Sequence, residues 1–321
     1  MIIAPLLFAA VSVHASGLAV VVDAGSTGTR VYEIKFPDDC GKPQVETLAK
    51  GGPLASSGDE TLGDLLAGVA AKRPEVERAD IRVIGTGGFR RLDPGPALTC
   101  EAACDAKRRA VLDAARRRFP GVKVHVATGE EEGRLSRLSV AAVTRDAKAA
   151  TVEIGGATVQ IAYAGDDGSV RSRSAKIGVT ETLKAVPLCA VPGDYTACRA
   201  AVIRHLAEDP EASILTSSEL KGAVVGVGGA FVALAKSLPL RSGEDLYSRL
   251  ADVDALGARA CANGDGFEDK YKPQACAQTA LESILIQQFR ISRVENVSLE
   301  VGAALEANDD LGPATAGSCP L

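Results

Sequence analysis

The chain contains no tryptophan and a single methionine, and aromatic residues make up only 4% of its 321 positions. Few side chains are therefore available to stack on a nucleobase. No dense Lys/Arg run is present, and a formal charge of -5 with a pI near 5.4 exerts no long-range pull on nucleic acid or anionic lipid. A nucleic-acid partner is thereby excluded, and a polyanionic substrate would have to be bound by a local site. No CxxC occurs, and the three histidines, His14, His125 and His205, stand apart from the cysteines. That argues against structural zinc. No apolar run approaches the roughly 20 residues needed to cross a bilayer, so no stable membrane anchor is expected.

What is present is an ordinary globular composition, 46% hydrophobic and 24% charged. The length suggests two domains. Residues 1–15 read as a signal peptide: an apolar stretch from Ile2 to Val13 is interrupted by Pro5, and Val13 and Ala15 suit the positions before cleavage. Export to the periplasm or medium is expected. The segment lacks Lys and Arg, so the alternative is a structureless leader on a cytoplasmic protein. Eight cysteines, all outside the leader, suit an oxidising compartment and four disulfides. Cys189 with Cys198 and Cys261 with Cys276 are the nearest-neighbour pairs; the pairing of Cys40, Cys100, Cys104 and Cys319 is open.

Residues 18–22 form a short apolar run, followed by DAGSTG and then VYEIKF, whose alternation predicts a strand and hence a β-hairpin. The same pattern returns as ATVEI, GGAT and VQIAYAG, with VRSRSAKI as a third strand. Asp23 precedes Gly25 by two residues as Glu153 precedes Gly155, an offset of 130 that suggests an internal duplication. Helical patterns at 60–71, 104–119 and 278–290 alternate with the strands IRVIGTGG, VKVHVAT and GAVVGVGG. This predicts α/β lobes with mixed sheets, each opening on a hairpin. Residues 17–146 plus 300–321 are assigned to lobe I and 147–299 to lobe II. The polar loops 192–196 and 263–273 are the linker candidates.

Glycine lets the main chain approach a phosphate while Ser and Thr donate hydrogen bonds, and Gly25, Ser26, Thr27, Gly28 and Thr29 supply both. Asp23 beside that loop would repel phosphate directly. A divalent cation between the two resolves the conflict, Mg²⁺ or Ca²⁺ being suited to oxygen ligands and retained waters. Gly155, Gly156 and Ala157 repeat the arrangement after Glu153, so two loops could clamp one phosphate chain from opposite sides. Between them, TGEEEG places three acids where a strand ends and a helix begins. The helix dipole accounts for some of them. Hydrolysis at phosphorus also needs a carboxylate to deprotonate a water in line with the leaving group, and Glu132 is the candidate base.

The segments DAGSTGTR (23–30), GTGGFR (85–90), TGEEEG (128–133) and EIGGATVQI (153–161) resemble, in order and spacing, the first four motifs of the nucleoside triphosphate diphosphohydrolase (apyrase) family. GGAFVAL (228–234) is a weaker fifth match, and VSLEVGAALE resembles the closing helix. The resemblance implies an actin-like, ribonuclease H-like fold of two lobes around a cleft. It implies metal-dependent removal of terminal phosphate, here from nucleoside tri- and/or diphosphates, without a phosphoenzyme; a monomer is expected. Carried over by position, Ser26, Gly28, Thr29 and Arg90 would contact phosphate, and Asp23 and Glu153 would hold the metal through waters. Glu132 matches the catalytic base, and Thr158 and Gln160 match the groups that place the attacking water. Gly229, Ala230 and Phe231 fall on the nucleobase side, and Arg30 reads as structural.

The chain departs from the family where Glu153 stands for Asp and Thr158 for Ser. Leu135, Arg137, Ala141, Val232, Leu234 and Ala235 replace residues expected to be aromatic or polar. These departures leave two rivals. The exopolyphosphatase and guanosine pentaphosphate phosphatase family shares the fold and a Glu-Glu motif, and EEGRL leans that way. A catalytically silent nucleotide binder is the other.

Overall fold

The apolar run at 18–22 becomes a strand, Leu18–Ala24 (β1), whose successive side chains enter two different cores. Val20 and Val22 pack on one face of the sheet, Ala19 and Val21 on the other, as the two-residue period of a strand requires. A strand apolar on both faces must be covered on both sides. The structure, a computed structural model, describes residues 18–25, 28–37, 41–54, 57–87, 101–213, 220–238, 244–297 and 299–309. Residues 1–17, Ser26, Thr27, Arg90, Cys40, Cys100, Cys319 and the side chain of Cys104 lie outside the described residues.

Thr29–Lys35 (β2), Gln44–Gly51 (β3), Asp80–Gly85 (β4) and Lys123–Val126 (β5) complete the first sheet, in the order β3-β2-β1-β4-β5. Ala150–Ile154 (β6), Val159–Ala164 (β7), Val170–Ala175 (β8), Val224–Val227 (β9) and Arg293–Val294 (β10) form the second, in the order β10-β9-β6-β7-β8. Read from the hairpin outward, the two orders are the same. In both, the first three strands are antiparallel and the next two are added parallel.

The hairpin registers agree to the residue. Asp23 pairs with Arg30 and Glu153 with Gln160, each pair 130 residues on from its counterpart. The turn bonds follow suit, Gly25 N–H to Gly28 O and Gly155 N–H to Thr158 O, both 2.9 Å. The duplication read from two Gly-rich turns is therefore a duplication of topology and register.

Thr61–Ala70 (α1) and Glu101–Arg118 (α2) cover one face of the first sheet, through Leu62, Leu66, Val111 and Ala115. On the opposite face, Leu135 of Gly129–Thr144 (α3) joins Val21 and Ile34 in one core with Leu299, Ala303 and Ala304. The same helix turns Val140 against Val225 and Val227 of the second sheet. It is thus the shared wall of both halves. Glu300–Asp309 (α9) packs on α3 and β1.

The far face of the second sheet is buried under Val179–Ala185 (α4), Tyr195–Glu208 (α5), Gly228–Ser237 (α6), Leu250–Asn263 (α7) and Ala275–Phe289 (α8). The disulfides Cys189–Cys198 and Cys261–Cys276 pin these helices together. They also correct the expectation of linkers at 192–196 and 263–273. Both loops belong to this helical layer: Gly193 N–H donates to Cys261 O at 2.7 Å, Asp194 caps α5, and Phe267 is buried. No helix among the described residues is long and apolar enough to cross a membrane.

The fit of α9 on α3 is set by one glycine. A Cβ on Gly302 would lie 2.1 Å from Leu135 O. Alanine gains about 1 kcal/mol of helix propensity over glycine, but overpacking against a backbone oxygen costs typically 1–3 kcal/mol or more. Gly302→Ala should therefore lower the melting temperature; an unchanged or raised value in thermal denaturation followed by circular dichroism would show that α9 is not wedged there.

Candidate active site

The first hairpin brings Asp23 to the end of β1, 7% exposed, with Arg30 Nη1 3.7 Å from its Oδ2. Its turn is backed by the end of β4, where Thr86 N–H and Oγ1 both donate to Ala24 O, at 3.2 and 3.4 Å. Gly28 has no room for a side chain, since a Cβ would sit 2.9 Å from Gly51 O. Thr29, expected on phosphate, is 1% exposed and donates its hydroxyl to Gly52 O at 2.8 Å. That hydroxyl ties β2 to the loop after β3. Burial pushes the Asp23 carboxyl up to about 6, and the nearby Arg30 offsets only part of the shift.

The second turn is held by the N-terminus of α4. Val179 and Thr180 N–H donate to Gly155 and Gly156 O, at 3.0 and 2.8 Å, and Gly178 N–H to Ala157 O at 3.1 Å. In a trans peptide the N–H points opposite to the preceding carbonyl. The amides of Gly156 and Ala157 therefore face away from α4, and they have no partner among the described residues. Such successive free amides make an anion-binding concavity. Gly178 is required for the contact, because a Cβ there would lie 2.5 Å from both Gly155 O and Thr158 N.

The start of α3 separates the three glutamates. Glu131 forms a capping box with Thr128: its N–H donates to Thr128 Oγ1 at 3.1 Å, and its Oε2 accepts from Thr128 N–H at 2.7 Å. Glu130 is exposed. Glu132 turns inward, 7% exposed. Its neighbour Gly133 lies against β7 and β8, where a Cβ would meet Gln160 Cβ at 3.0 Å and Ser172 Oγ at 2.4 Å. Gln160 is 1% exposed; its Nε2 donates to Thr158 Oγ1 at 2.5 Å, and its Oε1 has no partner. One turn along α3 from Glu132, Ser136 Oγ donates to Glu153 Oε2.

The two halves meet across the site. Gly228, at the start of α6 with φ of 85°, packs against the Glu153 side chain, and Gly229 faces Arg30 Nη2. Asp23, Arg30, Gly229, Gly228, Glu153 and Ser136 are thus contiguous. No three His, Cys, Asp or Glu side chains converge on one point among the described residues. A cation here would be held largely through waters between Asp23 and Glu153, which is the habit of Mg²⁺. The buried Asp23 carboxylate, costly as an anion with Arg30 alone, fits such a role. Phe231 goes elsewhere: its ring is fully buried against Gly226 in the second core, so it offers no face to a base. Thr86, Gly133, Ser136, Gly178 and Ser172 were not singled out as site residues from the sequence. Only the glycines carried a signal, each standing where a strand or a motif meets a helix.

Two sheets of identical topology, each opening on a hairpin, with a shared helix between them, define the two-lobed actin-like fold. No protein-family profile matches the chain, and no curated protein does. Solved structures match over nearly its whole length. A Ppx/GppA family protein of Aquifex aeolicus is 16% identical with a TM-score of 0.61, covering 92% of this chain and 99% of its own. An exopolyphosphatase from Cytophaga hutchinsonii is 16% identical, TM-score 0.60, covering 91% and 98%. A nucleoside triphosphate hydrolase from Neospora caninum is 13% identical, TM-score 0.59, covering 90% and 92%. At these identities the likeness is one of fold.

The folded Asp23 value lies above the ordinary value of 3.8, so its protonated form favours folding. That contribution is complete below about 3.8 and is lost as pH rises through about 6. Between pH 4 and 7 wild type should lose stability relative to Asp23→Asn, by on the order of 3 kcal/mol at most. Paired urea titrations at the two pH values check this; parallel stabilities of the two proteins would refute the burial argument.

Proposed function

We propose that the chain is an exported, divalent-metal-dependent phosphoanhydride hydrolase that removes the terminal phosphate of nucleoside tri- and diphosphates. The observation that carries this reading is the inward turn of Glu132, buried next to Gly133, which abuts Gln160, while Glu131 performs the capping. The helix dipole favours acids in the first turn, but it gives no reason to bury one at the cost of desolvating it. A hydrolase does, because a carboxylate must take the proton of the attacking water.

Each residue then has a duty. The amides of Gly156 and Ala157 bind phosphate oxygens, and by motif position the first turn, 25–29, does the same. Arg30 and, by motif position, Ser26, Thr27 and Arg90 add donors and charge. Gln160 Oε1 accepts from the water, its amide being fixed by Thr158, whose own hydroxyl hydrogen remains free to donate. Glu132 takes the proton as the water attacks in line. Asp23 and Glu153 would hold Mg²⁺ or Ca²⁺, which neutralises charge on the phosphoryl oxygens. The leader and the two disulfides of the second half support export.

A second reading of the substrate has its own observation. With Phe231 in the core, the fifth motif offers no ring to a base, and a polyphosphate chain needs none. Several similar solved structures are of Ppx/GppA or exopolyphosphatase proteins. Phosphate release from ATP, GDP and long-chain polyphosphate, measured side by side, separates the two. Nucleotide turnover well above that of polyphosphate is expected.

Glu132→Gln should lower turnover by roughly 10² to 10⁴ with far less effect on ligand affinity, as loss of a general base does. Excess chelator should abolish phosphate release. Undiminished turnover in Glu132→Gln, or hydrolysis that persists in chelator, would overturn the mechanism.

A further inference from the structure

Glu153 is an acid one methylene longer than aspartate, so without support its carboxylate has one more torsion to fix before it can hold anything. The structure supplies that support. Ser136, wholly buried on α3, donates its hydroxyl to Glu153 Oε2, while the other side of the Glu153 side chain rests on Gly228. Ser136 follows Glu132 by four residues, so both side chains leave the same face of the helix one turn apart.

The helix itself cannot slide. Gly133 is pressed on Gln160 and Ser172, and Leu135 O is pressed on Gly302. Gly302 N–H also donates to Ser139 Oγ at 2.8 Å. The spacing between Glu132 and the point where Ser136 grips Glu153 is therefore fixed by backbone packing.

We propose that Ser136 is a positioning residue for the metal-side carboxylate, locking Glu153 at a set distance from Glu132 and compensating for the longer acid at that position. This rests on the functional reading above. It predicts a specific coupling: shortening residue 153 by one methylene withdraws the carboxylate by about 1.5 Å, after which Ser136 has nothing to hold.

The test uses Mn²⁺ as a spectroscopic stand-in for Mg²⁺, with its affinity for the full-length protein read by electron paramagnetic resonance. Removing an outer-shell partner of a metal-holding group typically costs about 10- to 100-fold in affinity. Ser136→Ala should bind Mn²⁺ that much more weakly, with turnover recovering at saturating metal, and Ser136→Thr should stay near wild type. In a Glu153→Asp background, Ser136→Ala should change the affinity no further.

Wild-type affinity in Ser136→Ala, an equal loss in both backgrounds, or no Mn²⁺ binding by the wild type would each overturn the proposal. Should Ser136→Ala fail to fold, Ser136→Cys keeps the volume and removes the strong donor, and the same affinities decide. A wild type that binds Mn²⁺ as described but releases phosphate from no substrate would refute the functional reading and leave the role of Ser136 standing.

Discussion

The closeness of α3 to everything around it is the constraint on which the site depends. Helices ordinarily pack with axes about 8–10 Å apart, separated by side chains. Here two glycines remove that layer at two points: Gly133 lets α3 touch β7 and β8, and Gly302 lets α9 touch α3. A helix that bears through its own backbone on the second sheet and on α9 has no soft layer in which to shift. Glu132 and Ser136 therefore stand on a fixed wall rather than on a loop, and the accuracy of a proton-accepting group is set by that wall. Glu153 meets this wall through Ser136, and Asp23 is linked to Glu153 through Arg30, Gly229 and Gly228.

The scaffold is duplicated but the chemistry is not. At equivalent register positions, Asp23 and Glu153 are both acids, whereas the partner across the strand is Arg30 in one half and Gln160 in the other. The first half thus sets a guanidinium beside its buried acid, and the second sets an amide that is held by Thr158 and keeps one oxygen unpartnered. In the proposed mechanism, symmetry gives two turns for one linear phosphate chain. Asymmetry gives that chain a charged side and a water side. Hydrolysis needs both, because attack must come from one direction only.

Much of the fold was legible because its signals are local. Period-two alternation with Gly-rich breaks marked both hairpins, and the 130-residue offset anticipated a duplication that the registers repeat. The start of α2 was placed three residues late, since nothing in EAAC distinguishes a helix start from a loop end. The polar loops 192–196 and 263–273 read as linkers because composition reports polarity, whereas the disulfide and hydrogen bonds that seat them join residues distant in sequence. Glu132 could be chosen among three glutamates on chemical grounds, but only the Thr128–Glu131 box shows why the choice is physically available. Ser136 was beyond reach: its meaning depends on Glu153 of another element, and a serine in a helix carries no pattern of its own.

The scarcity of aromatic residues bears on substrate recognition and not on catalysis, and the geometry explains why the two separate. Every described group assigned to phosphate, metal or water is a main-chain amide, a carboxylate, a hydroxyl, a guanidinium or an amide side chain, positioned by hairpins, α3 and the N-terminus of α4. None of that requires a ring. Base recognition would have to come from the surface of the second half, where the fifth motif spends its phenylalanine on packing against Gly226. Gly226 tolerates that contact only because it lacks a Cβ, so the ring and the glycine are a matched pair of core residues in β9 and α6. Exposing Phe231 to a ligand would open a cavity in the second core, at a cost of typically 3–5 kcal/mol if the loss resembles that of Phe→Ala. The phosphate-handling parts can therefore be intact in a protein whose preference among phosphoanhydrides is set elsewhere, and a shortage of rings counts against a base clamp without counting against hydrolysis.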